Sequence, residues 1–210
     1  MCGRFSILSN SREIAEHFRI IDSGEDYICY NITPASNIPV VRNSGSNREI
    51  IRCHWGFIPS WARDDKFQPI NAKAETLAEK PSFRSALKSR RCLIPANGFY
   101  EWKGEKGNKQ PYYFRLPDDR LFAFAGLWEE WKHQDNRLHS CVIITTSANK
   151  IMRPVHGRMP VILNPENYDD WLVEGDTAVL QPYTDEMSGY PVSKRVNNPS
   201  NNDHSLLQAI

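Results

Sequence analysis

A chain of 210 residues, 40% hydrophobic and 24% charged, has the size and composition of one compact soluble domain with a substantial core. Its 26 Lys and Arg against 25 Asp and Glu leave a net charge of +1, which excludes a tail-driven, histone-like polycation but not a local basic groove. No stretch approaches the roughly 18 apolar residues that span a bilayer, and Met1-Cys2-Gly3-Arg4 runs into a short mixed segment and not an apolar leader, so a cytoplasmic protein without membrane contact is expected.

In chain order, residues 4–8 read as a strand and residues 11–18 as a helix, with Ile14 and Phe18 one turn apart and Ser9 or Asn10 as N-cap. Strand patterns over residues 38–42 and 49–57 flank Asn43-Ser44-Gly45-Ser46-Asn47, a hairpin signal. Residues 71–76 are polar and read as a loop. Pro81 suits a first helical position, and a helix over residues 81–88 places Phe83 and Leu87 on one face. Strands are expected over residues 91–95, 99–103, 112–116, 121–126, 139–145 and 159–163. The turns at 104–108 and 117–119 are expected to join antiparallel neighbours. A third helix opens at Asn164-Pro165, carries Tyr168, Trp171 and Leu172, and stops at Gly175. Residues 197–210 begin with an Asn/Pro/Ser-rich run and read as an irregular C-terminal tail. Many strands in meander order with few helices imply an α+β fold. It is a single domain over residues 1–210, built on a mainly antiparallel, barrel-like β-sheet with peripheral helices.

The cysteines Cys2, Cys29, Cys53, Cys92 and Cys141 are odd in number and lack any C-x-x-C pair, so neither a disulfide framework nor a zinc site is implied. The histidines lack ligand spacing, and no metal or cofactor is expected. Four of the cysteines sit among apolar residues and read as small buried hydrophobes. Cys2 stands apart by position. Loss of Met1 would leave an α-amine and a thiol on one residue, and an α-amine has a pKa of about 7.7–8.0 against about 10.4 for lysine. Such an amine attacks an aldehyde to give an imine, which the neighbouring thiol can close to a thiazolidine. Position alone leaves an incidental penultimate cysteine open.

Three further segments bear chemistry, each with a bland alternative. Asn71-Ala72-Lys73-Ala74-Glu75-Thr76 is equally an ordinary turn. In Gly98-Phe99-Tyr100-Glu101-Trp102-Lys103 a carboxylate lies between aromatics, where partial withdrawal from water equips it for proton transfer, unless alternation points it to solvent. His156 and Arg158 are two residues apart and face one side of an extended chain; they pair an acid–base group with a phosphate ligand, or form a structural histidine's setting.

Met1-Cys2-Gly3-Arg4, Asn31-Ile32-Thr33-Pro34, Trp55-Gly56-Phe57-Ile58-Pro59-Ser60-Trp61 and the three segments above occur in the order found in the SRAP family. The resemblance, to the SOS-response-associated peptidase-like or abasic-site-processing proteins, runs to Val192-Ser193-Lys194-Arg195-Val196-Asn197. It implies a monomer that binds single-stranded DNA and forms a thiazolidine crosslink with the aldehyde of an abasic site, shielding the lesion. By the same resemblance Cys2 is the nucleophile, Asn71 hydrogen-bonds near the sugar, Glu101 opens the ring and moves protons, and His156 assists proton transfer and release. Arg4 and Arg158 would grip phosphates. Lys73 stands where the family usually has arginine, so a bidentate contact becomes a point charge. Pro34, Trp55, Trp61 and Trp102 are candidate DNA-lining residues, with a core role open for the tryptophans. Arg84, Lys88, Arg90 and Arg91 form a basic cluster or a solvated helix face. Two rival functions remain: a cysteine-type peptidase or amidohydrolase using Cys2 with His156, with Met1 loss itself autocatalytic, and a non-covalent single-strand binder.

Overall fold

The computed structural model of the chain describes residues 2–45, 47–105, 107–133 and 136–210, without the side chains at 133 and 136. In chain order the elements are β1 (Phe5–Ile7), α1 (Ser11–Phe18), β2 (Cys29–Ile32), β3 (Asn37–Ser44), β4 (Asn47–Trp55), β5 (Asn71–Lys73), α2 (Pro81–Ser89), β6 (Arg91–Ala96) and β7 (Gly98–Lys103). Then follow β8 (Gln110–Arg115), β9 (Phe122–His133), β10 (Asn136–Ser147), β11 (Arg158–Pro160), β12 (Ile162–Leu163) and β13 (Ser188–Pro191).

Two sheets are formed, and one of them closes. In the larger, β4, β3, β6, β9 and β10 pair in a ring, because β10 pairs with both β9 and β4; β5, β11 and β12 attach to its rim. All pairings in the ring are antiparallel except β10 with β4. Closure removes the exposed edges that an open sheet of this size would leave. The smaller sheet has the order β13-β8-β7-β1-β2. It packs through Phe5 and Phe99 onto Trp55 and Phe124 of the barrel, with ring centroids 5.1 to 5.9 Å apart. The α+β, barrel-based expectation therefore holds.

Local signals account for the helix ends. Asn10 caps α1 by accepting from the Glu13 N–H while the Glu13 carboxylate accepts from the Asn10 N–H, a reciprocal capping box. Pro81 opens α2. The expected third helix is irregular: a 3-10 turn over Pro165–Asn167 passes into a π turn over Asp170–Glu174, closed by Gly175 at φ 71°. Widening to i→i+5 bonds lets Trp171 and Leu172 both reach the core, where they are buried.

Several expectations change. Residues 71–73 are a strand and not a loop: β5 runs parallel to β10, with Asn71 opposite Ile143 and Lys73 opposite Thr145. The turn at 117–119 does not join paired neighbours, since β8 belongs to the small sheet and β9 to the barrel. The hairpin between β3 and β4 is present, although Ser46 within its signal lies outside the described residues, as do Lys106 in the 104–108 turn and Met1. The C-terminal segment is irregular but docked. Val192, Val196, Leu206 and Leu207 cover Tyr100 and Tyr113 on the outer face of the small sheet. Cys53, Cys92 and Cys141 are fully buried, as expected, whereas Cys29 is only partly so. No helix among the described residues is long and apolar enough to cross a membrane.

Candidate active site

Packing of the small sheet on the barrel decides what Glu101 does. Along β7 the faces alternate, with Phe99 and Glu101 on one side and Tyr100 and Trp102 on the other. The Phe99 face packs on the barrel through Phe124, while the C-terminal segment covers the Tyr100 face, so Glu101 is only 6% exposed. Its Oε1 accepts from the Trp102 N–H at 3.2 Å.

Cys2 lies within electrostatic reach of that carboxylate. Strand β1 pairs antiparallel with β7, Phe5 opposite Phe99, and the Tyr100 N–H donates to the Arg4 carbonyl at 2.9 Å. This register brings the segment before Phe5 alongside Glu101. Cys2 is fully buried, and its thiol is pushed up to about 12, first by burial and second by the Glu101 charge. From the barrel side, Asn71 Nδ2 donates to the Cys2 carbonyl at 2.8 Å. Asn71 Oδ1 is buried without a partner among the described residues, an acceptor left for a ligand. The site thus sits in the seam between the two sheets, Cys2 and Glu101 from one and Asn71 from the other.

Trp55 serves this site from the core. Its ring is fully buried against Phe5, and its Nε1 donates to the Ile70 carbonyl at 3.0 Å, pinning the start of β5 next to Asn71. The expectation that Trp55 lines DNA is therefore corrected, because a ring with no exposed surface cannot stack on a base. Trp61 is the opposite case, 63% exposed on the loop between β4 and β5. The same loop presents Phe67, 60% exposed, which the motif-based reading missed. An aromatic in a charged loop, four residues before Asn71, was the available signal. The loop is anchored by Trp131 Nε1 donating to the Ala62 carbonyl at 2.8 Å and by His54 bonded to Gln68 at 2.9 Å.

His156 and Arg158 approach through β11. That strand pairs with β10 on the side opposite β5, with Ser147 facing Arg158 and Thr145 facing Pro160. Thr145 is thus flanked by Lys73 and Pro160, and the two motifs share one strand as spacer. His156 Nδ1 accepts from the Arg158 N–H at 3.0 Å. The Arg158 guanidinium binds the Glu75 carboxylate at 2.6 and 2.9 Å. Lys73 is exposed at the end of β5, and Pro34 is partly exposed in a turn whose next residue, Ala35, has φ 67°.

Arg4 and Trp102 face the tail and not the seam. Arg4 Nη1 donates to Asn31 Oδ1 at 2.6 Å and to the Val196 carbonyl at 2.7 Å. Its guanidinium lies 5.8 Å from the Trp102 ring, and burial lowers its pKa. Trp102 Nε1 donates to Asn197 Oδ1 at 2.8 Å. The basic cluster after α2 divides. Arg90 forks onto buried Glu129, and Arg91 caps the carbonyls of Leu87, Lys88, Trp171, Leu172 and Val173, so both are structural. Arg84 and Lys88 remain exposed. Among the described residues no group of three or more His, Cys, Asp or Glu is placed to hold a metal ion.

Comparison with known proteins gives consistent matches. A family model described as SOS response associated peptidase (SRAP) matches residues 1–199. The abasic site processing protein YoqW of Bacillus subtilis is 46% identical, with both chains covered completely. The abasic site processing protein HMCES of Xenopus tropicalis is 31% identical over 90% of this chain and 68% of its own. A crystal structure of a protein from Bacteroides thetaiotaomicron superposes with a TM-score of 0.86 at 27% identity, covering all of both chains.

Proposed function

Because this chain belongs to the SRAP family, whose curated relatives are named for abasic site processing, we propose that it captures abasic sites in single-stranded DNA as a covalent thiazolidine on Cys2. The observation that carries the reading is the placement of Cys2, its carbonyl held by Asn71 and its thiol beside the Glu101 charge.

The chemistry follows from the two groups of Cys2. Once Met1 is removed, the neutral α-amine attacks the ring-opened aldehyde carbon and gives a carbinolamine. Loss of water from it leaves an imine. The thiol then adds across the imine, sulfur to carbon and proton to nitrogen, closing the five-membered ring. Burial and the Glu101 charge both favour the protonated thiol, so the thiol needs a base at the moment it adds. Glu101 is the group for that transfer, and for protonating the departing hydroxyl. Asn71 Oδ1 accepts from a sugar hydroxyl or from the freed amine. Trp61 and Phe67 offer faces for bases, with Lys73 as a phosphate contact.

The test is a denaturing gel with abasic single-stranded DNA and protein whose intact mass lacks Met1. A shifted band is expected to survive heat and detergent, and to be absent with intact DNA and with Cys2→Ala. No shift from Met1-free protein would sink the proposal. Cys2→Ser should be trapped by borohydride but give a short-lived adduct without it.

A further inference from the structure

Arg158 is already occupied by an anion. Its Nη1 and Nη2 donate side by side to the two oxygens of Glu75, and Nη2 donates again to the Thr145 carbonyl at 2.7 Å. A guanidinium has five N–H donors. Three are used here, and the Nε–H is sheltered from solvent without a partner among the described residues. Only the second Nη1 hydrogen remains, which cannot make the paired contact that gives arginine its grip on phosphate. Glu75 has the right reach for an exchange. It sits in the single turn after β5, with its side chain 51% exposed against 20% for Arg158, so the carboxylate can swing into water while the guanidinium stays.

Resting on the single-strand reading above, we propose that Glu75 is a phosphate surrogate: it holds the Arg158 fork preformed in the free protein and is displaced by a backbone phosphate when DNA binds. Binding at this position is then an exchange of anions on one cation. A free cation meeting a phosphate releases about 0.7 of a counterion from single-stranded DNA. A cation taken from a carboxylate releases less on balance, because the abandoned Glu75 gathers a counterion of its own. Glu75 therefore weakens binding and flattens its salt dependence.

The experiment is fluorescence anisotropy with the full chain and a labelled single strand carrying tetrahydrofuran, an abasic analogue without an aldehyde, across a salt series. E75Q is expected to bind roughly two- to fivefold tighter at low salt, with a log–log slope steeper by up to about 0.7. R158Q should bind more weakly than wild type, and adding E75Q to it should change nothing. E79Q, which removes an exposed charge four residues on, should leave the slope unaltered. E75A is expected to match E75Q and keeps the test standing if melting shows that E75Q has lost the fold. A parallel slope with equal or weaker affinity for E75Q overturns the proposal, as does an equal gain in the R158Q background. Failure of wild type to bind the strand overturns the function reading itself, a result distinct from either.

Discussion

At Cys2 the two nucleophiles differ in how readily they lose a proton. The α-amine of a free N-terminus titrates at about 7.7–8.0, while the thiol is held at about 12 by burial and by Glu101. Removing the Glu101 charge removes one of the causes that raise the thiol. Glu101→Gln should therefore lower the thiol pKa, read as thiolate absorbance against pH, yet slow adduct formation by roughly 10²-fold because the base is lost. DNA affinity should be kept; its loss would make Glu101 structural. The tryptophans divide in the same physical way. Trp55→Ala empties a fully buried site and should cost about 3–5 kcal/mol in urea denaturation. Trp61→Ala should leave stability unchanged and weaken single-strand binding by about 1–3 kcal/mol per lost stack. The reverse pattern would exchange their roles.

At the scale of elements, the N-terminal strand is held by the tail through one buried side chain. Asn31 accepts from Arg4 and donates through Nδ2 to the carbonyls of Val196, Asn198 and Asn201. Asn31→Ala would take that donor from the Asn198 and Asn201 carbonyls, while the Val196 carbonyl keeps Arg4, at a cost of about 2–3 kcal/mol. Amide exchange should then rise in residues 194–203 and in β1 before it rises in the barrel. Uniform loosening would show instead that the tail is not a separate unit. Gly98 is a second constraint of this scale: a Cβ there would overlap the Tyr113 hydroxyl, which bonds Ser6 at 2.8 Å. Helices α1 and α2 were legible because their caps and periodicity are local. Strand β5 was not, because the short Asn-Ala-Lys segment becomes a strand only by pairing with β10, some 70 positions away.

For the whole molecule, closure of the barrel and the docked tail bury tyrosines as well as aliphatics. Tyr100, Tyr113 and Tyr168 all have pKa values raised, chiefly by burial. A group whose folded pKa lies above its unfolded value stabilises the fold fully below the unfolded value, about 10 for tyrosine, and loses that contribution as pH rises through the folded one. Alkaline titration should therefore show these tyrosines ionising together with unfolding. Ionisation near 10 with the fold intact would contradict their burial. Removing residues 193–210 should let Tyr100 titrate earlier, since Val196, Leu206 and Leu207 cover it.

The order of motifs, the position of Cys2, the strand-rich α+β character and the two capped helices followed from sequence, because each depends on near neighbours or on identity at a numbered place. Tertiary structure alone decided that Glu101 is buried beside Cys2, that Trp55 is core while Trp61 is open, and that Arg4, Arg90, Arg91 and Arg158 already have partners. The physical reason is the same in each case. Alternation along a strand says which residues share a face, but what covers that face comes from a distant segment, and burial and charge pairing are set by that cover.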